Sequence, residues 1–158
     1  MRLTHFPYRA GRLFCESVPA EKIAAAVGTP AYVYSRAAIE RNYRRFDRAF
    51  AGHPHTICYS LKANSNVALL RLLAELGAGF DIVSGGELHR VLRAEGPPRR
   101  TVFSGVGKTV EEIDAALEAG ILLFNAESAD ELKLIAQRAR RAGRRAPAAL
   151  RVNPDVGA

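Results

Sequence analysis

Short apolar stretches alternate with longer amphipathic stretches along most of the chain. The short stretches are rich in β-branched and aromatic residues, which is typical of strands. They are "AYVYS" at residues 31–35, "TICYSLK", "GFDIVS", "TVFSG", "ILLFNA" and "APAALRVNP". Between them the apolar residues recur at helical spacing, as in the face formed by Ile39, Tyr43, Phe46 and Phe50. The pattern therefore predicts repeated strand–helix units from residue 31 onward.

Capping residues mark where several of these helices begin. Ser35 precedes the first helix of the series as a predicted N-cap. Thr109 with Glu112, and Ser128 with Glu131, have the spacing of a capping box, in which each side chain bonds the other residue's backbone N–H. These signals place helices directly after the strands.

Strands separated by helices predict parallel pairing with right-handed crossovers. The fold class is therefore α/β, either a (β/α)8 barrel or an open doubly wound sheet. Residues 1–30 differ: "HFPYRAGRLFCESV" predicts an extended arm, and "PAEKIAAAVGTP" a short helix and turn. A complete barrel needs about 250 residues. Because the chain has 158, we expect a barrel truncated after about five strands, and so a piece of a longer protein.

Composition narrows the class of protein. The net charge is +7, but the arginines are spread over predicted helices and no aromatic residues interleave with "RARRAGRR", so we expect no nucleic-acid partner. We find no apolar run of membrane-spanning length and no secretory signal. The cysteines, Cys15 and Cys58, lack metal-binding spacing and are interpreted as reduced thiols of a cytoplasmic protein without a metal site.

The strand "TICYSLK" ends in a lysine, and burial of an unpaired ammonium is costly. Alternation places Cys58, Ser60 and Lys62 on one face, which would point into a barrel. Asp81 of the next strand is flanked by Phe80 and Ile82, and Glu87 follows at the turn. A desolvated lysine at a strand's carboxyl end can form a Schiff base with an aldehyde. An internal Lys62–Asp81 ion pair without chemistry is the alternative.

The segment "SGVGKT" superficially resembles a phosphate-binding loop. That loop needs a glycine five positions before its Gly-Lys-Thr glycine, and Val102 occupies the position. We therefore expect no nucleotide site, and we predict that Lys108 lies on the rim of the sheet.

Several motifs resemble those of a known family. "YSLKANSN" resembles the cofactor-lysine segment of the pyridoxal-phosphate decarboxylases that have an alanine-racemase-like barrel, and "GAGFDIVSGGEL" resembles the segment that follows it. "FSGVGKTVEEIDAALEAGI", "FNAESADEL" and "RVNP" come in the same order as in that family, and the N-terminal arm resembles the diaminopimelate decarboxylases. The resemblance covers essentially the whole chain.

The resemblance implies an activity and a site. The cofactor would be pyridoxal 5'-phosphate, bound covalently by Lys62, and the reaction decarboxylation of meso-2,6-diaminopimelate to L-lysine and CO2, a step of lysine biosynthesis. Asp81, an acidic residue close to that lysine, would be both catalytic and cofactor-binding, and Glu87 and Arg151 would also bind the cofactor. Residues 1–30 would belong with a C-terminal β-domain and residues 31–158 with the barrel, in a cytoplasmic homodimer. The family's remaining site residues lie beyond residue 158, so this chain alone is expected to be inactive.

Two alternatives stay open. Ornithine, arginine and carboxynorspermidine decarboxylases share the lysine segment, and amino-acid racemases share the barrel. A non-catalytic module that neither binds the cofactor tightly nor turns over substrate is the other possibility.

Overall fold

A computed structural model describes residues 5–154. Contacts divide the chain into two compact units, one ending at Pro54 and one beginning at His55, and each is described by itself. The predicted boundary after residue 30 stays a prediction, and the first four residues of the predicted arm lie outside the described residues. No helix within residues 5–154 is both long and apolar enough to cross a membrane.

The first unit contains a small antiparallel sheet and two helices. The sheet has the order β1 (Tyr8–Arg9), β2 (Arg12–Cys15) and β3 (Val18–Pro19). Ala10 and Gly11 both have positive φ in the two-residue turn between β1 and β2, as tight hairpins require. Helix α1 (Ala20–Val27) follows the sheet. The prediction of an extended arm followed by a short helix is therefore confirmed.

The predicted strand at residues 31–35 is wrong. This segment carries no strand, and Tyr32 is 92% exposed. A strand forms only where a neighbouring strand accepts its hydrogen bonds, and none of the described strands pairs with this segment. Its last residue does act as predicted, because the Ser35 side chain accepts a hydrogen bond from the Ala38 backbone at the start of α2 (Arg36–Ala49).

The second unit is a five-stranded parallel sheet in chain order. Its strands are β4 (Cys58–Ser60), β5 (Gly79–Ile82), β6 (Thr101–Phe103), β7 (Leu123–Ala126) and β8 (Ala148–Leu150). Its helices are α3 (Val67–Glu75), α4 (Gly85–Arg93), α5 (Val110–Ala119) and α6 (Ala129–Arg141). The alternation of strands and helices and the number of parallel strands confirm the sequence prediction.

The two faces of this sheet differ in chemistry. One face carries the large apolar side chains that form the core, and each of them is at most 1% exposed: Phe80, Ile82, Phe103, Phe124 and Ala126. The residues between them in sequence point to the opposite face, where strand pairing places Ser60 beside Asp81. The core face therefore holds the helices, and the opposite face collects the polar side chains.

The helix N-termini follow the predicted capping chemistry, with one difference. Thr109 and Glu112 form a complete capping box at α5. At α6, Ser128 accepts from the Glu131 backbone, but the Glu131 carboxylate bonds the backbone N–H of Glu127 rather than that of Ser128. The second predicted box is thus half correct, because the glutamate reaches one residue further back along the chain.

Candidate functional site

Lys62 does not lie on a strand, contrary to the sequence prediction. Strand β4 ends at Ser60, and Leu61–Ala63 form a single turn of 3-10 helix. Leu61 is only 1% exposed and anchors this turn, whereas the Lys62 side chain is exposed. The expectation of a buried lysine at this position is therefore wrong, and its amine is accessible at the carboxyl end of the sheet.

The loop after Lys62 is shaped by two asparagines. The Asn64 side-chain oxygen accepts a hydrogen bond from the Asn66 backbone N–H at 3.0 Å. The Asn66 side chain in turn caps α3 by accepting from the Ala68 backbone at 2.9 Å. These local bonds turn the chain directly from the lysine into the next helix.

Asp81 points to the polar face of the sheet, as predicted. Its neighbours Phe80 and Ile82 are fully buried on the core face, and it pairs in register with Ser60 of the adjacent strand. Within residues 5–154 no ion pair joins it to Lys62. The alternative of a structural ion pair is therefore not found in the described part of the chain.

A side-chain hydrogen-bond chain leads away from Asp81 along the strand ends. The Ser104 hydroxyl donates to Asp81 Oδ1 at 2.6 Å, and Asn125 Nδ2 donates to Ser104 Oγ at 2.9 Å. Ser104 follows β6 directly, and Asn125 lies in β7. Sequence reasoning missed both residues. Strand alternation in "TVFSG" and "ILLFNA" nevertheless places Ser104 and Asn125 on the same face of the sheet as Asp81.

Ser60 has an unused hydrogen-bonding group on the same face. Its Oγ is buried, and no other described residue bonds it. A buried hydroxyl without a partner is uncommon in native proteins and marks a place where a bound molecule can supply the bond. Among the described residues, Ser60, Lys62 and Asp81 thus offer a hydroxyl, an amine and a carboxylate near two neighbouring strand ends. These groups fit a polar cofactor that carries an aldehyde.

Cys58 lies two residues earlier on the same strand face. Burial raises the pKa of its thiol, and the negative charge of Asp81 raises that pKa further. A thiol with a raised pKa stays protonated and is a poor nucleophile at neutral pH. Lys62 is therefore a better candidate than Cys58 for covalent chemistry at this end of the sheet.

Glu87 and Arg151, the other two predicted site residues, both hold neighbouring loops. Glu87 Oε2 accepts a hydrogen bond from the Val83 backbone at 2.8 Å, at the start of α4. Arg151 follows β8, and its Nη1 lies 3.2 Å from Glu127 Oε1. The Arg151 side chain is 54% exposed, so part of its guanidinium remains accessible.

Lys108 is buried, so the prediction of a rim residue is wrong. Its side chain is 1% exposed, and Nζ donates to the carbonyl oxygens of Gly105 at 2.7 Å and Asn125 at 2.8 Å. Nζ also lies 3.2 Å from Glu131 Oε1 and 5.6 Å from the centre of the Phe103 ring. With these contacts the ammonium is engaged inside the protein and is not presented to a phosphate group.

Comparisons with known proteins identify the family of this chain. Residues 36–158 match the family model described as "Pyridoxal-dependent decarboxylase, pyridoxal binding domain". A diaminopimelate decarboxylase of Pseudomonas aeruginosa is 55% identical over 153 residues, which are 97% of this chain and 37% of that protein. The chain therefore spans little more than a third of the length of this relative.

Solved structures give the same picture. The diaminopimelate decarboxylase of M. jannaschii in complex with L-lysine superimposes with a TM-score of 0.90 at 41% identity, over 98% of this chain and 37% of that one. The arginine decarboxylase of Paramecium bursaria Chlorella virus has a TM-score of 0.71 at 23% identity, over 85% of this chain and 37% of that one. At this identity the viral enzyme supports the fold alone.

Proposed function

Since this chain belongs to the pyridoxal-dependent decarboxylases, whose pyridoxal binding domain its residues 36–158 match, we propose that it forms the cofactor-lysine part of a diaminopimelate decarboxylase. The reaction is decarboxylation of meso-2,6-diaminopimelate to L-lysine and CO2. The fold is that of an alanine-racemase-like (β/α) barrel, represented here by five parallel strands.

The observation that carries this proposal is the cluster at the carboxyl ends of β4 and β5. Lys62 exposes its amine directly after β4, Asp81 lies on the neighbouring strand, and the Ser60 hydroxyl has no partner among the described residues. Active sites of (β/α)8 barrels form at this end of the strands. An accessible amine at the same end of the sheet as a carboxylate and a free hydroxyl suits covalent capture of an aldehyde.

Each of these residues has a definite task in the proposal. Lys62 would hold the aldehyde of pyridoxal phosphate through its amine. Asp81 presents a carboxylate beside that bond, and the Ser60 hydroxyl supplies a hydrogen bond to the bound cofactor. When bound, the cofactor provides the electron sink that lets an α-amino acid lose CO2.

Arg151 and Glu87 are proposed as further cofactor-binding residues. The exposed part of the Arg151 guanidinium is available to an anion, and Glu87 holds the start of α4, the helix that follows the strand carrying Asp81. The proposal also includes the domain division at residue 30, a homodimeric assembly, a cytoplasmic location and a place in lysine biosynthesis, all of which rest on the family resemblance.

The diaminopimelate substrate is favoured over those of the other decarboxylases with this fold. Similarity at about half identity extends over nearly the whole chain for the bacterial diaminopimelate decarboxylase, whereas the viral arginine decarboxylase shares the fold alone. The N-terminal arm contributes to that similarity, since the aligned residues are 97% of the chain.

Borohydride trapping tests the role of Lys62. The chain is incubated with pyridoxal phosphate, reduced and digested, and the labelled peptides are identified by mass spectrometry. We expect the label on the peptide that contains Lys62 and its loss in a Lys62→Ala variant, with Lys22→Ala as the exposed-lysine control. Label found mainly on Lys22 or Lys108 would overturn the assignment.

Substrate preference is tested on the longest protein that contains these residues. Meso-diaminopimelate, ornithine and arginine compete for decarboxylation, and the ratio of their kcat/KM values gives the discrimination. We expect a clear preference for meso-diaminopimelate. A preference for ornithine or arginine would assign the protein to another decarboxylase of this fold, and absence of CO2 release with all three would favour a non-catalytic module.

A further inference from the structure

A chain of two hydrogen bonds links Asp81, through Ser104, to Asn125. Asp81 lies in β5, Ser104 directly follows β6, and Asn125 lies in β7. The two bonds, 2.6 Å and 2.9 Å long, are both within normal hydrogen-bonding distance. The carboxylate is thus tied to the ends of the next two strands of the sheet.

The chemical groups decide which partner donates in each of these two hydrogen bonds. An ionised carboxylate only accepts hydrogen bonds, so the hydroxyl proton of Ser104 must point at Asp81. The Ser104 oxygen is then left as an acceptor, and Asn125 Nδ2 fills that role as donor. The chain therefore runs one way, from amide to hydroxyl to carboxylate, and it occupies Oδ1 of Asp81.

Lys108 holds the backbone on which this chain depends. Its buried ammonium donates to the carbonyl oxygens of Gly105, which follows Ser104, and of Asn125 itself. One cation thus fixes the spacing between the two segments that carry the donors. These two hydrogen bonds from Lys108 restrict where the Ser104 hydroxyl can lie relative to Asp81.

We propose that Ser104 and Asn125 are positioning residues that hold the Asp81 carboxylate as an oriented hydrogen-bond acceptor beside Lys62. This inference rests on the function proposed above. Neither residue contacts the cofactor in the proposal, and both act through Asp81. Functional groups held by a supporting shell of hydrogen bonds lose less freedom when a ligand binds, which strengthens binding.

The test compares four variants of the chain. Ser104→Ala removes the hydroxyl, Ser104→Thr keeps it, and Asn125→Asp replaces the donor by an acceptor. Ser35→Ala is the matched control, because it removes another hydroxyl that donates to a carboxylate, here Glu16 Oε1 at 2.7 Å, in the other unit. Folding of each variant is checked by circular dichroism and urea unfolding.

Two measurements are made on each variant. The first is the carboxyl carbon resonance of Asp81 in cofactor-free protein, followed by NMR after selective labelling of aspartate. The second is the pyridoxal-phosphate concentration needed for half-maximal borohydride trapping on Lys62. The first reports the geometry of Asp81 alone, and the second reports its effect on the lysine site.

We expect Ser104→Ala and Asn125→Asp to shift the Asp81 resonance and to raise the half-maximal cofactor concentration roughly tenfold, as for loss of a hydrogen bond to a charged group. Ser104→Thr and Ser35→Ala should match the parent chain in both measurements. An unchanged Asp81 resonance in Ser104→Ala, or an equal rise in Ser35→Ala, would overturn the inference. If the parent chain traps no cofactor on Lys62, the proposed function fails, and an unshifted Asp81 resonance would then reject the positioning role independently.

Discussion

Replacement of Lys108 by methionine is expected to destabilise the second unit strongly. Methionine has a similar length and leaves no large cavity, so the effect comes from the lost charge. The substitution removes three contacts of Nζ, to the carbonyls of Gly105 and Asn125 and to the carboxylate of Glu131. The Glu131 side chain is only 9% exposed, so its negative charge would remain largely buried without its cation.

Removing one partner of a buried ion pair typically costs about 3 to 5 kcal/mol. We expect the lower end, about 3 kcal/mol, because Glu131 Oε2 keeps its hydrogen bond from the Glu127 backbone at 2.7 Å. Such a loss is a large fraction of the 5 to 15 kcal/mol by which domains are typically stable. The assay is urea unfolding followed by circular dichroism, with the free energy extrapolated to water.

The matched control is Lys133→Met on α6. Lys133 pairs with Asp130 at 2.8 Å, but the two side chains are 78% and 91% exposed, so its loss should cost less than about 0.5 kcal/mol. The double variant Lys108→Met, Glu131→Gln should be more stable than Lys108→Met alone, because the uncompensated charge is gone. Equal unfolding free energies for Lys108→Met and Lys133→Met, or a double variant no more stable than the single one, would refute the reasoning.

Three further outcomes are expected. Gly79→Ala should lower the unfolding free energy by about 2 kcal/mol or more, since its Cβ would lie 2.1 Å from the Arg100 carbonyl oxygen; Gly86→Ala, with only an ordinary contact, is the control, and equal values would contradict the clash. Backbone hydrogen bonds from Gly85 and Thr109 lower the pKa of Glu112. Its contribution to stability is therefore present above the ordinary glutamate pKa and lost as the pH falls through the lower folded-state value, so acid unfolding should be less steep in Glu112→Gln; identical pH profiles would reject this. With Cys15 replaced by serine, Cys58 should react with iodoacetamide more slowly than free cysteine at neutral pH, because burial and Asp81 raise its pKa; an equal rate would contradict it.

Local pattern was enough to predict the order of strands and helices from β4 onward. Apolar runs at strand and helix spacing placed all five parallel strands, and Thr109 with Glu112 formed the capping box that their spacing predicted. The alternation of side chains along a strand also placed Asp81 on the polar face of the sheet, because successive residues of any strand point to opposite faces. These features depend on residues a few positions apart, so a sequence contains them directly.

The same reasoning failed where a residue's environment depends on distant parts of the chain. The segment at residues 31–34 has strand composition but no described partner, and the chain leaves β4 one residue before Leu61, which moves Lys62 from the strand into a turn. Composition alone cannot show whether a neighbouring strand exists or at which residue pairing stops.

The candidate site shows most clearly which features the sequence predicted and which only the tertiary structure determined. The sequence by itself singled out Lys62 and Asp81 as candidate site residues near the carboxyl ends of neighbouring strands. Only the tertiary structure brought Ser104 and Asn125 into a hydrogen-bond chain with Asp81, and buried Lys108 against Glu131. These contacts join residues more than twenty positions apart, and they exist because parallel pairing in register aligns the ends of β5, β6 and β7, which local periodicity does not specify.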